Sequence, residues 1–213
     1  MRHARGLDTV VEVSNCLLTK RRMSRHPFLD TRDRIERAAI SLFVSKGVAE
    51  TTVRDIATAV GLSEGALYRH FLGKDDLVWK VFESRYVAFA QRLQALAAGE
   101  TTARGRLAAM IRGFCEAHDA DATLFRFVLF VQHGQLHKLS PGTPTPVTVM
   151  HDVLAEAIAT GEIPPQNAHL ATALVLGLVL QPATFAAYGS LPHAQVPHCS
   201  RLVAAAWAAV TTV

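Results

Sequence analysis

Apolar residues recur along this chain at intervals of three and four, and no segment alternates with a sustained period of two. Residues 31–46 place Ile35, Ala38, Ala39, Leu42 and Phe43 on one face, with Asp30 or Thr31 to open the pattern and Gly47 to close it. That spacing predicts an amphipathic helix. A shorter pattern follows, with Val53, Ile56, Ala57 and Val60 as its buried face. Thr52 and Asp55 stand three residues apart at its start, the spacing of a capping box, and Gly61 permits the positive-φ turn that ends it. Ser63 caps a third helix from Glu64 to His70 or Phe71, and Gly73 breaks the chain again. Asp75 and Asp76 then sit where acids suit the first turn of a helix. This helix runs to about Ala98 with Leu77, Val78, Val81, Phe82, Tyr86, Phe89 and Leu93 on its face.

Past Gly99 the chain turns to Ala, Leu, Val and Phe, and further helices are expected at about 103–119, 121–137, 146–160, 167–188 and 197–211. SPGTPTP (140–146) and GEIPPQ (161–166) are loops, because prolines at this density cannot occupy helix interiors. The expected fold class is all-α: a three-helix head joined through a long fourth helix to a larger helical body. The domains follow as a basic extension over 1–27, a head over 28–74 and a body over 75–213. The uncharged run LATALVLGLVLQPATFAAY (170–188) has nearly the length of a membrane span. Gln181 and Pro182 interrupt it and no Lys/Arg cluster flanks it, so it reads as a helix of a core or an oligomer interface.

Charge sharpens this division. Residues 1–80 hold fourteen Lys/Arg against ten Asp/Glu, and the remainder holds eight of each. The whole excess of positive charge lies in the first third, where a polyanion partner would bind. Cys16, Cys115 and Cys199 are too few and too widely spaced for a disulfide framework, and fit a reducing cytosol. Early polar and acidic residues leave no apolar core for a signal peptide. The basic block TKRRMSRH (19–26) reads as an arm reaching DNA or as an incidental tail, and Met23 offers an alternative start.

Two short helices joined by a tight Gly-containing turn are the helix-turn-helix arrangement. Neither is long enough to be stable alone; they persist by sharing a core with the first helix. In such a unit the second helix enters the major groove by its N-terminal end. Ser63 and the free N–H groups of that end suit phosphate or a base edge. Glu64 could accept from cytosine N4, and Gly65 lets the backbone approach closely. Tyr68 and His70 offer hydrogen bonds to phosphate, and Arg69 adds charge. Thr52, Arg54 and Lys74 would hold the DNA backbone.

The segment TTVRDIATAVGLSEGALYRHFLGKDDL (51–77) resembles the DNA-binding segment of the TetR family of bacterial transcriptional regulators. The likeness rests on Thr52 with Ile56–Ala57, Gly61, Ser63–Gly65, Leu67–Tyr68–Arg69–His70–Phe71 and Lys74, and extends over about residues 30–80. It implies a homodimer built on the last two helices and a body that holds a small-molecule pocket. Phe114, His118, Phe125, Phe130 and His133 are pocket candidates on that resemblance only. Glu64, Gly65 and Ala66 occupy positions where base-reading side chains would sit, so base contacts are expected to be few.

The function expected is a cytosolic repressor that binds a palindromic operator in double-stranded DNA and is released by a small apolar effector. Helix 167–188, with small residues Ala173 and Gly177, would pair with helix 197–211 across the dimer axis. The competing readings are a non-specific DNA-binding structural protein without effector and, with less support, an α-helical enzyme. The chain has no nucleophile elbow, P-loop or dinucleotide-binding glycine pattern, so no catalytic residue and no cofactor is assigned. His133 and His137 share a helix face at zinc-compatible spacing, but with no HExxH and no third ligand no metal site is assigned.

Overall fold

A computed structural model describes residues 30–212, so the basic extension and its alternative start lie outside the described residues. Among the described residues nine α-helices follow one another: α1 (Thr31–Lys46), α2 (Val53–Val60), α3 (Glu64–Tyr68), α4 (Lys74–Ala98), α5 (Ala103–Ala120), α6 (Ala122–Gln135), α7 (Pro146–Ala159), α8 (Ala168–Ala187) and α9 (Cys199–Thr211). No strand occurs among the described residues, and the class is all-α.

The helix starts are set by local chemistry. Thr52 Oγ1 accepts from the Asp55 N–H at 3.1 Å while Asp55 Oδ2 accepts from the Thr52 N–H at 2.9 Å, a reciprocal cap. Thr102, Asp121, Thr145 and Asn167 accept from backbone N–H groups at the starts of α5 to α8, and of these four caps only that of Thr145, with Thr148, is reciprocal. Gly61 adopts φ 71° and ψ 33°, the left-handed conformation that turns the chain from α2 towards α3. Helix α3 stops at Tyr68, earlier than the pattern suggests, although the Phe71 N–H still reaches the Leu67 carbonyl at 3.1 Å. Pro197 has no N–H to donate, and residues Val196–His198 form a 3₁₀ turn ahead of α9. Helix α8, by contrast, runs through Pro182 without a break.

Two hydrophobic clusters organise the chain. In the head, Ile35, Phe43, Ile56, Leu67 and Phe71 close over Leu77, Val78, Val81, Phe82 and Tyr86 of α4. Phe127 of α6 joins them, its ring stacked on Phe43 at 5.8 Å. The head's core therefore extends well past residue 74 and takes in the first half of α4. The second cluster packs the other half of α4 against α5, α7, α8 and α9 through Leu93, Leu107, Met110, Met150, Val175 and Val210. Helix α4 is common to both, so any tilt or slide of its body half is felt in the head.

Candidate nucleic-acid interface and ligand cavity

The helix-turn-helix is held from behind by α1. Arg34 Nη2 donates to the Val60 carbonyl at 2.7 Å, satisfying the end of α2. Lys46 Nζ bonds Asp55 Oδ2 at 2.8 Å, tying the end of α1 to the start of α2. The Lys46 hydrogen bond, helped by the Thr52 N–H, lowers the Asp55 carboxyl to about 2. Thr51, fully buried, donates to the Gly47 carbonyl at 2.7 Å. With Leu67 and Phe71 turned into the core, the opposite face of α3 is presented outward. Glu64, Gly65 and Arg69 are exposed there, Tyr68 is half exposed, and Ala66 and His70 are partly covered. A Cβ placed on Gly65 would meet nothing within 4 Å, so no packing inside the chain calls for glycine at this position.

Most of the residues expected to contact DNA thus share one outer surface, though their polar atoms are not equally free. Ser63 Oγ caps α3 by accepting from the Ala66 N–H at 3.2 Å, and Thr52 Oγ1 is engaged in its own cap. Arg54 stands exposed on the first turn of α2. Lys74 departs most from expectation. Its ammonium donates to the carbonyls of Val48 and Ala49 at 2.8 and 3.1 Å, pinning the start of α4 to the α1–α2 loop. Two of its three donors serve the fold.

In the body an apolar cavity of about 120 Å³ opens between α4, α5, α6, α7 and α8. Phe89 and Phe114 meet edge to face in its wall at 4.9 Å, and Phe125, Leu129, Leu176 and Leu180 continue it. Arg85, Asp121 and Gln132 are its polar members, and the Tyr86 hydroxyl lies 3.5 Å from Gln132 Oε1. Burial pushes the Tyr86 hydroxyl up to about 12.

Of the five pocket candidates, Phe114 and Phe125 line this space and the other three do not. His118 is buried behind it, against the edge of Phe125, with Nδ1 3.0 Å from Asp119 Oδ1. Asp119 also accepts from the Gln195 and Val196 N–H groups at 2.7 and 2.8 Å. Burial pushes its carboxyl upward, but these bonds outweigh that and hold it below the usual range. Asp119 therefore pins the α8–α9 connection to α5, with His118 bonded to it on the same helix. Phe130 and His133 lie on the outward side of α6, where Phe130 stacks on Tyr188 at 6.2 Å. Arg85, Tyr86 and Gln132 were missed as cavity residues. Their only signal is their place beside the buried apolar rows of α4 and α6.

The helix-turn-helix and its supporting helices, residues 35–81, match the family model described as bacterial regulatory proteins, tetR family. Residues 35–81 are thus a TetR-family DNA-binding segment. The HTH-type transcriptional regulator SrpR of Pseudomonas putida is 29% identical over 140 residues, 63% of this chain and 64% of that protein. The HTH-type transcriptional repressor KstR2 of Rhodococcus jostii is 34% identical over 82 residues, 38% of this chain. The chain thus spans just under two thirds of the first of these TetR-family relatives and, at 40%, about two fifths of the second. Among solved structures, the transcriptional regulator FadR from Bacillus subtilis in complex with stearoyl-CoA superposes with a TM-score of 0.67 at 18% identity, covering 84% of this chain and 98% of that one. The TetR-family regulator PfmR from Thermus thermophilus does so with a TM-score of 0.63 at 22% identity, covering 86% and 97%. At these identities the likeness shows the fold, and it covers the body as well as the head.

Proposed function

We propose that the protein is a cytosolic, ligand-responsive transcriptional repressor that binds a palindromic operator as a homodimer. The observation that carries this reading is that one continuous helix, α4, forms both the floor of the helix-turn-helix and a wall of the apolar cavity. Two α3 helices enter successive major grooves, about 34–36 Å apart for half-sites one helical turn apart. Ser63, Glu64, Gly65, Ala66, Tyr68, Arg69 and His70 face the groove and its phosphates, with Thr52 and Arg54 on the flanking backbone. A ligand in the cavity favours a different setting of α4, and the two recognition segments then lose their match to groove spacing. A coupling of ~5–150-fold in affinity is typical of such linkage.

The dimer reading rests on α8. Its inner face packs on the body through Ala171, Val175 and Val179. Its outer face presents Leu170, Ala173, Leu174, Gly177, Phe185 and Tyr188 to solvent. Among the described residues α8 is the one helix long and apolar enough to cross a membrane. A second copy of α8 and α9 covers this face, with Ala173 and Gly177 permitting close approach.

Selection from a random duplex-DNA pool at physiological salt tests the reading. An enriched palindrome is expected. Salt-sensitive binding with no enriched sequence would sink it in favour of a non-specific DNA binder.

A further inference from the structure

One charged residue of the cavity faces two ways. Arg85 lines the cavity beside Tyr86, and its Nη2 donates to Glu36 Oε2 on α1 at 3.3 Å. Glu36 is a buried acid in the head, and its other oxygen accepts from Arg32 Nε at 3.0 Å. The Arg32 guanidinium lies over the ring of Phe71, 5.1 Å from its centre, and Phe71 closes the recognition segment. An unbroken line of contacts therefore runs from cavity to recognition segment through Arg85, Glu36, Arg32 and Phe71.

The charges along this line are unevenly held. Glu36 is one carboxylate shared by two guanidinium groups, and its bond to Arg85 is longer than the ~2.7–2.9 Å of a strong charge-assisted pair. Arg85 has further N–H donors beyond that bond, and its side chain is 44% exposed against 9% for Glu36. The acid in the cavity lining, Asp121, already accepts from the Leu124 N–H at 2.9 Å as the cap of α6. The remaining wall is almost wholly apolar. Such a space suits a short hydrocarbon tail, with one cation in its lining, the loosely paired Arg85, for a head group.

We propose that the cavity binds an amphiphile with an apolar tail and a carboxylate head, and that the head draws Arg85 away from Glu36. Glu36 is left to Arg32 alone, and the hold of Arg32 on Phe71 changes with it. The inference rests on the cavity being an effector site and adds the ligand's charge and the route by which its binding is felt.

The test uses the full chain and three probes with the same eight-carbon tail: octanoate, octanol and octyltrimethylammonium. Calorimetry should show octanoate binding at least ~10-fold tighter than octanol, the scale of one charge-assisted bond. Arg85→Met should remove that difference while octanol still binds, which also shows that the variant is folded. Octanoate should weaken binding to duplex DNA in the unaltered protein and not in Arg85→Met. Octanol or the ammonium compound binding as well as octanoate would overturn this inference and leave the effector reading standing. So would an octanoate preference that survives Arg85→Met, or octanoate binding that leaves DNA affinity unchanged. Failure of all three probes to bind would overturn the effector reading of this cavity together with the inference.

Discussion

The head and the body solve the same packing problem in opposite ways. In the head, helix ends are closed by groups from the same chain: Arg34 on Val60, Lys46 on Asp55, Lys74 on the loop carbonyls and Thr51 on Gly47. Its large exposed apolar side chains among the described residues are Tyr68 and Leu72. The body exposes Phe130, Leu136, Val147, Leu170, Leu174, Phe185, Tyr188, Leu191 and Val196, and encloses a cavity. The head is thus complete as folded, whereas the body has apolar surface that other molecules can cover. The reader is joined to the body through α4 and through the packing of α6 on the head core.

The strongest way to break this contrast is to open the head. Phe82 is fully buried and stacked on Tyr86 at 4.8 Å. Phe82→Ala should cost about 3–5 kcal/mol in urea unfolding; a loss under about 1 kcal/mol would mean the head core is not the rigid unit described.

Next in size is the α8 face. A Cβ on Gly177 meets nothing within 4 Å in the chain, so an arginine there harms only a partner. Gly177→Arg should weaken dimerisation about 100-fold or more, roughly 3 kcal/mol, with helix content unchanged. Light scattering that still reports a dimer would move the interface elsewhere.

Lys74 sharpens the comparison, because its two readings give different numbers. If its role is the staple seen here, Lys74→Ala should lower stability by about 1–3 kcal/mol and leave the salt slope of DNA binding unchanged. If its remaining donor also reaches a phosphate, the slope should fall by about 1. Stability unchanged together with slope unchanged would remove both roles.

The smallest effects concern the α2 cap. Thr52→Ala should cost about 1 kcal/mol. Asp55 is lowered from 3.8 to about 2, so its bonds to Lys46 and Thr52 support the fold fully above about pH 4. That support is lost as pH falls towards 2. Asp55→Asn should therefore flatten the acid limb of a stability–pH profile, and an unchanged limb would show that the pair contributes nothing.

The head was legible in the sequence because its boundaries are made by neighbours: Thr52 with Asp55, Ser63 with Ala66, and Gly61 in the left-handed turn. The cavity was legible only in part. Helix α6 carries Leu124, Phe125, Phe127, Val128, Leu129, Phe130 and Val131, apolar nearly all round. Periodicity cannot say which side of such a helix faces inward. Phe125 falls in the cavity wall, Phe127 in the head core and Phe130 outside. The same ambiguity hid Arg85 and Gln132, whose neighbours come from helices far away in sequence.

The order of helices, the caps of α2 and α3 and the helix-turn-helix arrangement are determined by the sequence alone, because each depends on residues within a few positions of one another. The tertiary structure decided three further things: that Lys74 serves the fold, that Asp119 pins α5 to the α8–α9 connection, and that Arg85 joins the cavity to the head through Glu36. Each depends on the direction of a side chain towards a distant element, and that direction is fixed only when the helices pack.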